Sequence, residues 1–142
     1  MKKLLPILLI LLSNSVLSKE SVIDKNLYQC RNNPVNVSDM SLADCNEAAT
    51  KSWDKLLNVE YKLLISDSDL SQEFKDSLKI SQLAWIKYRD LSLNAINEFY
   101  NNQRGSYWQI VSSENKMLIT KNKAIELHRL RISSDPSAPA ED

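Results

Sequence analysis

From Ser38 to Ile132 the apolar residues of this chain recur at helical spacing, and only two short polar stretches interrupt them. At about 100° per residue, Leu42, Cys45, Ala49, Trp53, Leu56, Leu63 and Leu64 fall on one face, with Asp44, Lys51, Lys55, Asn58 and Lys62 on the other. Ser66-Asp67-Ser68-Asp69-Leu70-Ser71 then supplies turn and N-cap chemistry. A second stripe, Phe74, Leu78, Trp85, Tyr88, Ile96 and Phe99, runs to Asn101-Asn102-Gln103-Arg104-Gly105. The chain's one glycine stands there, where a helix end calls for a positive φ. Ser106-Tyr107-Trp108-Gln109 has the spacing of a capping box and opens a third stripe: Tyr107, Val111, Leu118, Ile125 and Ile132. No segment sustains strand alternation. Short connections make neighbouring helices antiparallel. The expectation is an all-α, up-down-up bundle of three helices over residues 38–132. An irregular segment at 19–37 precedes it, and a polar, disordered tail follows at 133–142.

Residues 1–18 read as a secretory signal peptide. Lys2 and Lys3 provide the positive start, Leu4 to Leu12 an apolar run broken by Pro6, and Ser13 to Ser18 a polar end with small or β-branched residues at the cleavage positions. The run is too short to span a bilayer as a helix, so no stable membrane anchor is expected once it is removed. Cutting after Ser18 removes two lysines and leaves 16 basic against 18 acidic side chains, a formal charge of −2. The expected location is secreted or periplasmic. Outside the cytoplasm Cys30 and Cys45 are most simply a disulfide that ties the N-terminal segment to the start of the first helix. Closing a 15-residue loop is worth about 3 kcal/mol in the chain-entropy model. A redox or metal pair would need closer spacing or histidine partners.

Composition narrows the chemistry. One histidine (His128) and two cysteines cannot assemble a common zinc site, and one glycine gives no phosphate-cradling loop. Balanced charge argues against a general nucleic-acid binder. No metal, cofactor or catalytic residue is expected. Gln82 and Arg89 lie within the second apolar stripe, Glu60 in the first and Glu114 in the third, with Lys121 and His128 at its margin. Buried charges must be paired, so these residues read either as an internal polar network or as a cleft between helices. Helix register makes Glu47 the expected partner of Arg89, with Glu114 second, and lets Asp54 approach Gln82. It also puts Glu60 and Glu114 too far apart for an acid/base pair. Arg104, Tyr107 and Trp108 cluster at the second turn and are of the types enriched at binding hot spots, although an aromatic near a turn also commonly covers a bundle end. Trp108 is expected to point away from the third stripe and Tyr107 towards the core.

Two motifs carry a resemblance. Asp54, Leu57, Asn58 and Tyr61 form a D-x-x-L-N-x-x-Y pattern. Leu78, Lys79, Gln82, Trp85, Ile86, Tyr88, Arg89 and Asp90 form L-K-x-x-Q-x-x-W-I-x-Y-R-D. In that order, after a Cys…Cys segment, they resemble the N-terminal domain of the LprI-type lysozyme inhibitor family over about residues 28–130. The resemblance implies an exported protein that blocks a muramidase by binding it. The motif residues read as mainly structural, while the candidate partner contacts, Arg104, Tyr107 and Trp108, rest on their residue types and their place at the second turn and not on the resemblance. The chain departs from the family where two further cysteines usually stand, here Leu93 and about Asn115, so one bridge is expected to be missing. The rival reading is a periplasmic immunity or adaptor protein that binds another envelope protein.

Overall fold

The computed structural model describes residues 21–134, which form four α-helices: α1 (Val22–Arg31), α2 (Asp39–Ser66), α3 (Gln72–Asn101) and α4 (Tyr107–Ser134). The segment read as a signal peptide and most of the polar tail lie outside the described residues, while Ser133 and Ser134 continue α4. The stretch expected to be irregular contains α1, so the helices number four, not three. Ile23, Leu27 and Cys30 share one face of α1 and pack into the core. Ten residues make a marginal helix on their own. Its stability comes from attachment: the Cys30–Cys45 disulfide (Cα–Cα 5.8 Å), the Lys121–Asp24 ion pair at 2.7 Å, and Arg31. Fewer than three turns of largely polar sequence before Asn33-Pro34 carry too little periodicity to announce a helix that tertiary contacts hold.

Serines open the first three helices. The Ser21, Ser38 and Ser71 hydroxyls accept from the backbone N–H groups of Asp24, Ser41 and Phe74, and Ser38 with Ser41 closes a reciprocal capping box. At the α2–α3 turn the Asp67 carboxylate accepts the Asp69 N–H at 2.9 Å, as the turn chemistry there predicts. The capping box expected at Ser106 does not form. The Ser106 hydroxyl donates instead to the Asp39 carboxylate, pinning the start of α4 to the start of α2. Gly105 has φ +102°, but it stands at the entry to α4, since α3 is capped by Asn102.

α2 and α4 run parallel and form the principal interface; α1 packs on α2, and α3 touches α4 more than α2. The core comprises Leu27, Cys45, Ala49, Trp53, Leu57, Leu64, Leu78, Met117, Ala124 and Leu127. Ala124, fully buried in the core, lets α4 approach closely, because interaxial distance follows side-chain size. The α4 stripe is rotated from the expected one. Tyr107 is 60% exposed and Leu118 is exposed, while Ser112, Ser113, Met117, Thr120, Ala124 and Leu127 are buried. Small and polar residues fill the centre of that face, so hydropathy alone misplaces it. On α2, Leu57 is buried while Leu63 is exposed. On α3 only Leu78 and Gln82 are buried, and Tyr88 and Phe99, expected in the core, are exposed. α3 stands off from α2 over its second half, so its stripe lacks a facing helix there.

Candidate functional site

The polar residues of the stripes are satisfied in different ways. Glu60 is 3% exposed and accepts from Arg131 through both carboxylate oxygens, with His128 Nδ1 3.0 Å from Oε1. Burial alone would raise the Glu60 pKa. The hydrogen bonds from Arg131 and then His128, with their charges, outweigh it and hold the carboxyl below its ordinary value. Glu114 pairs with Arg31 at 3.3 Å, and Lys121 lies 5.2 Å from the Trp53 ring centre. Arg89 pairs with Asp90 at 2.8 Å and lies 5.3 Å over the Trp85 ring, so neither Glu47 nor Glu114 is its partner. The separation of α3 from α2 leaves its own helix as the nearest source of a carboxylate. Asp54 accepts from Asn58 at 3.2 Å, and the buried Gln82 Oε1 has no hydrogen-bond partner among the described residues. The remaining motif residues are spread between core and surface: Leu57 and Leu78 are buried, Tyr61 and Trp85 pack at the core margin, and Tyr88 is exposed.

One polar hub escaped the sequence reading. Asn46, with no exposed surface, accepts from Arg31 Nε at 3.0 Å and donates to the Ser113 hydroxyl at 2.8 Å and the Ile110 carbonyl at 3.3 Å. It joins α1, α2 and α4. Its place between Cys45 and Ala49 on the apolar face was the available signal.

The standing-off of α3 opens a groove of about 800 Å³ between the first half of α2, the end of α3 and the first half of α4. Its floor includes Ser112, Ser113 and Thr120, and its α3 wall includes Leu93, Asn97 and Tyr100. Leu93 and Lys116 both line it, and Asn115 donates to the Tyr100 hydroxyl at 3.2 Å, so a hydrogen bond links α3 to α4 close to where relatives are expected to carry a bridge.

At the mouth of the groove the aromatics of the α3–α4 turn form a row. Phe99 meets Tyr100 edge-on at 4.9 Å, Tyr100 lies 5.9 Å from Trp108, and Trp108 meets Tyr107 at 5.6 Å. Trp108 and Tyr100 are half-buried, while Phe99 and Tyr107 are 61% and 60% exposed. Tyr107 therefore faces outward, contrary to the core position expected for it. Arg104 is exposed within the connecting turn. The structure thus sets Tyr107 against Trp108, leaves Arg104 in the adjoining turn, and adds to the row Phe99 and Tyr100, which the sequence reading left out of the site. None of the motif residues lines the groove.

These helices, the bridge and the aromatic end define a small disulfide-tied helical domain. Residues 30–127 match the family described as lysozyme inhibitor LprI, and the chain belongs to that family. No curated protein matches the sequence significantly. A crystal structure of an uncharacterized protein from Burkholderia thailandensis is similar, with a TM-score of 0.72 at 17% identity over 77% of this chain. That likeness shows the fold alone, and the matched region spans 53% of that protein's length. Among the described residues no helix is long and apolar enough to cross a membrane.

Proposed function

We propose that this chain is an exported inhibitor that binds a muramidase and occludes its cleft with the aromatic end of the bundle. The carrying observation is the row Phe99–Tyr100–Trp108–Tyr107 with Arg104 in the adjoining turn. A glycosidase cleft presents carboxylates and surfaces that stack sugars. A plug for it needs a cation beside aromatic rings, and a bidentate guanidinium suits a carboxylate. Tyr, Trp and Arg also dominate binding energy at interfaces. Family membership supports the class of partner, and the mildly acidic chain that signal cleavage would leave suits a basic enzyme surface.

The test is the lysis of peptidoglycan by a panel of lysozymes of different types in the presence of the purified, oxidised protein. Near-stoichiometric slowing of at least one is expected. No effect on any of them ends this reading, and capture of a non-muramidase envelope protein in its place would establish the immunity or adaptor role.

A further inference from the structure

α3 carries apolar residues on two sides. The inner side gives Leu78 and Gln82 to the core. The opposite side holds Ile80, Leu83, Ala84, Tyr88 and Leu91, all in solvent, with Ile80 and Leu83 each 69% exposed. At about 100° per residue these side chains spread over about 140° of the helix surface, the width of stripe that a helix ordinarily turns to a core. Among the described residues no element covers them, since α3 meets α4 and α2 from its inner side. Apolar residues scattered singly over a surface need no explanation, but a row of them along one helix face marks a contact.

The stripe is complementary to itself. A two-fold axis level with the Trp85–Ile86 bond sets a second copy of α3 antiparallel to the first, with matching edges of the two stripes meeting. Ile80 then comes level with Leu91 of the copy at the centre of the seam. Along one edge the Tyr88 ring covers the small Ala84 and Ser81, and along the other Leu83 meets the methylene stem of Lys87. Each contact occurs twice. Lys79 and Asp90 share that second edge, and Lys79 comes within about 3 Å of level with Asp90 of the copy at the helical rise. In the single chain these two charges have only exposed pairs with near neighbours on α3, Lys79–Asp76 at 3.3 Å and Arg89–Asp90 at 2.8 Å. At the ends Glu73 comes level with Glu98 of the copy, and their like charge confines the seam to the stretch from Ile80 to Leu91. We propose that the protein forms an antiparallel homodimer through this outer face of α3. A foreign partner would place no such symmetry demand on the stripe. A contact of three to four turns a side lies at the small end of specific interfaces, so the dissociation constant is expected on the order of 10 μM. The two aromatic rows lie clear of the seam at opposite ends of the dimer, with the Phe99 residues about 40 Å apart along the helix axis. This inference stands apart from the muramidase reading and needs no enzyme in its test.

Sedimentation equilibrium of the oxidised protein, over concentrations from about tenfold below that value to about tenfold above it, tests the proposal. A shift from monomer to dimer mass is expected. Ile80→Glu should weaken association at least about tenfold, since it sets a carboxylate against Leu91 twice in each dimer. Lys79→Glu and Asp90→Lys should each weaken it at least about threefold, and the two together should restore it, because the antiparallel seam exchanges these charges across the axis. Ile80, Lys79 and Asp90 are exposed, so circular dichroism of the dilute variants should match that of the wild type and would report any misfolding. A monomer at every concentration, a dimer indifferent to Ile80→Glu, or a charge swap that fails to restore association overturns the proposal.

Discussion

Asn46 donates to the Ser113 hydroxyl at 2.8 Å while having no surface exposed to solvent, so the α2–α4 interface is keyed by a buried amide in its first third. Three partners depend on that one side chain: Arg31, Ser113 and the Ile110 carbonyl. Asn46→Leu should therefore cost about 2–3 kcal/mol, because it strands buried polar groups, while Ser113→Ala should cost about 1 kcal/mol. Urea unfolding of both variants and of the double variant checks this. The double variant should fall short of the sum.

The Glu60 cluster predicts an acid limb of stability. A carboxyl whose folded pKa lies below its ordinary value near 4.5 contributes stability that is present above that value and lost as pH falls through the folded pKa. Wild-type melting temperature should thus drop more steeply below about pH 4.5 than that of Glu60→Gln. Arg131→Met should cost about 3 kcal/mol at neutral pH, since it leaves a buried carboxylate short of its main partner. A melting profile with the same acid slope in wild type and Glu60→Gln would contradict this account.

Reduction of the Cys30–Cys45 bridge should lower stability by about 3 kcal/mol. The loss should concentrate in α1. Amide exchange in the reduced protein is expected to rise across Val22–Arg31 while the α2–α4 core stays protected.

Gly105 has φ +102° and no atom within 4 Å of an added Cβ. Gly105→Ala therefore meets a backbone penalty without a clash, about 1 kcal/mol. Equilibrium unfolding measures it, and Gly105→Asn should recover part of the difference, since asparagine tolerates positive φ better than most residues.

Arg104→Ala and Tyr107→Ala should each weaken muramidase inhibition at least about tenfold while leaving the melting temperature within a degree or two, because both side chains are exposed. Dose–response curves of lysis against inhibitor concentration read the first effect and calorimetry the second.

Three long helices, both turns and the bridge were legible in the sequence because each has a local cause: stripes at helical spacing, Asp67 and Ser71 at one turn, Gly105 at the other. α1 was not, since Ile23, Leu27 and Cys30 make a stripe too short to stand without the partners it finds in Asn46 and Lys121. The burial phase of α4 was missed because Ser113, Thr120 and Ala124 carry the contact there, and their small volume rather than their hydropathy qualifies them. Arg104, Tyr107 and Trp108 were visible as a cluster from their types and the turn. Phe99 was not, since its place in an apolar stripe suggested the core, and Tyr100, outside every stripe, carried no signal; the divergence of α3 from α2 leaves Phe99 exposed and Tyr100 lining the groove. The groove follows from that same divergence, which no spacing along one helix encodes.

The exposed stretch between α1 and α2, with Val35 and Val37 in solvent, offers an easy cut to a protease. Because Cys30 and Cys45 lie on opposite sides of that stretch, a nicked molecule would keep both pieces covalently joined and migrate as one species until a thiol released the shorter one. The folded assembly would then outlast the integrity of the backbone, and the redox state of its surroundings would decide how long.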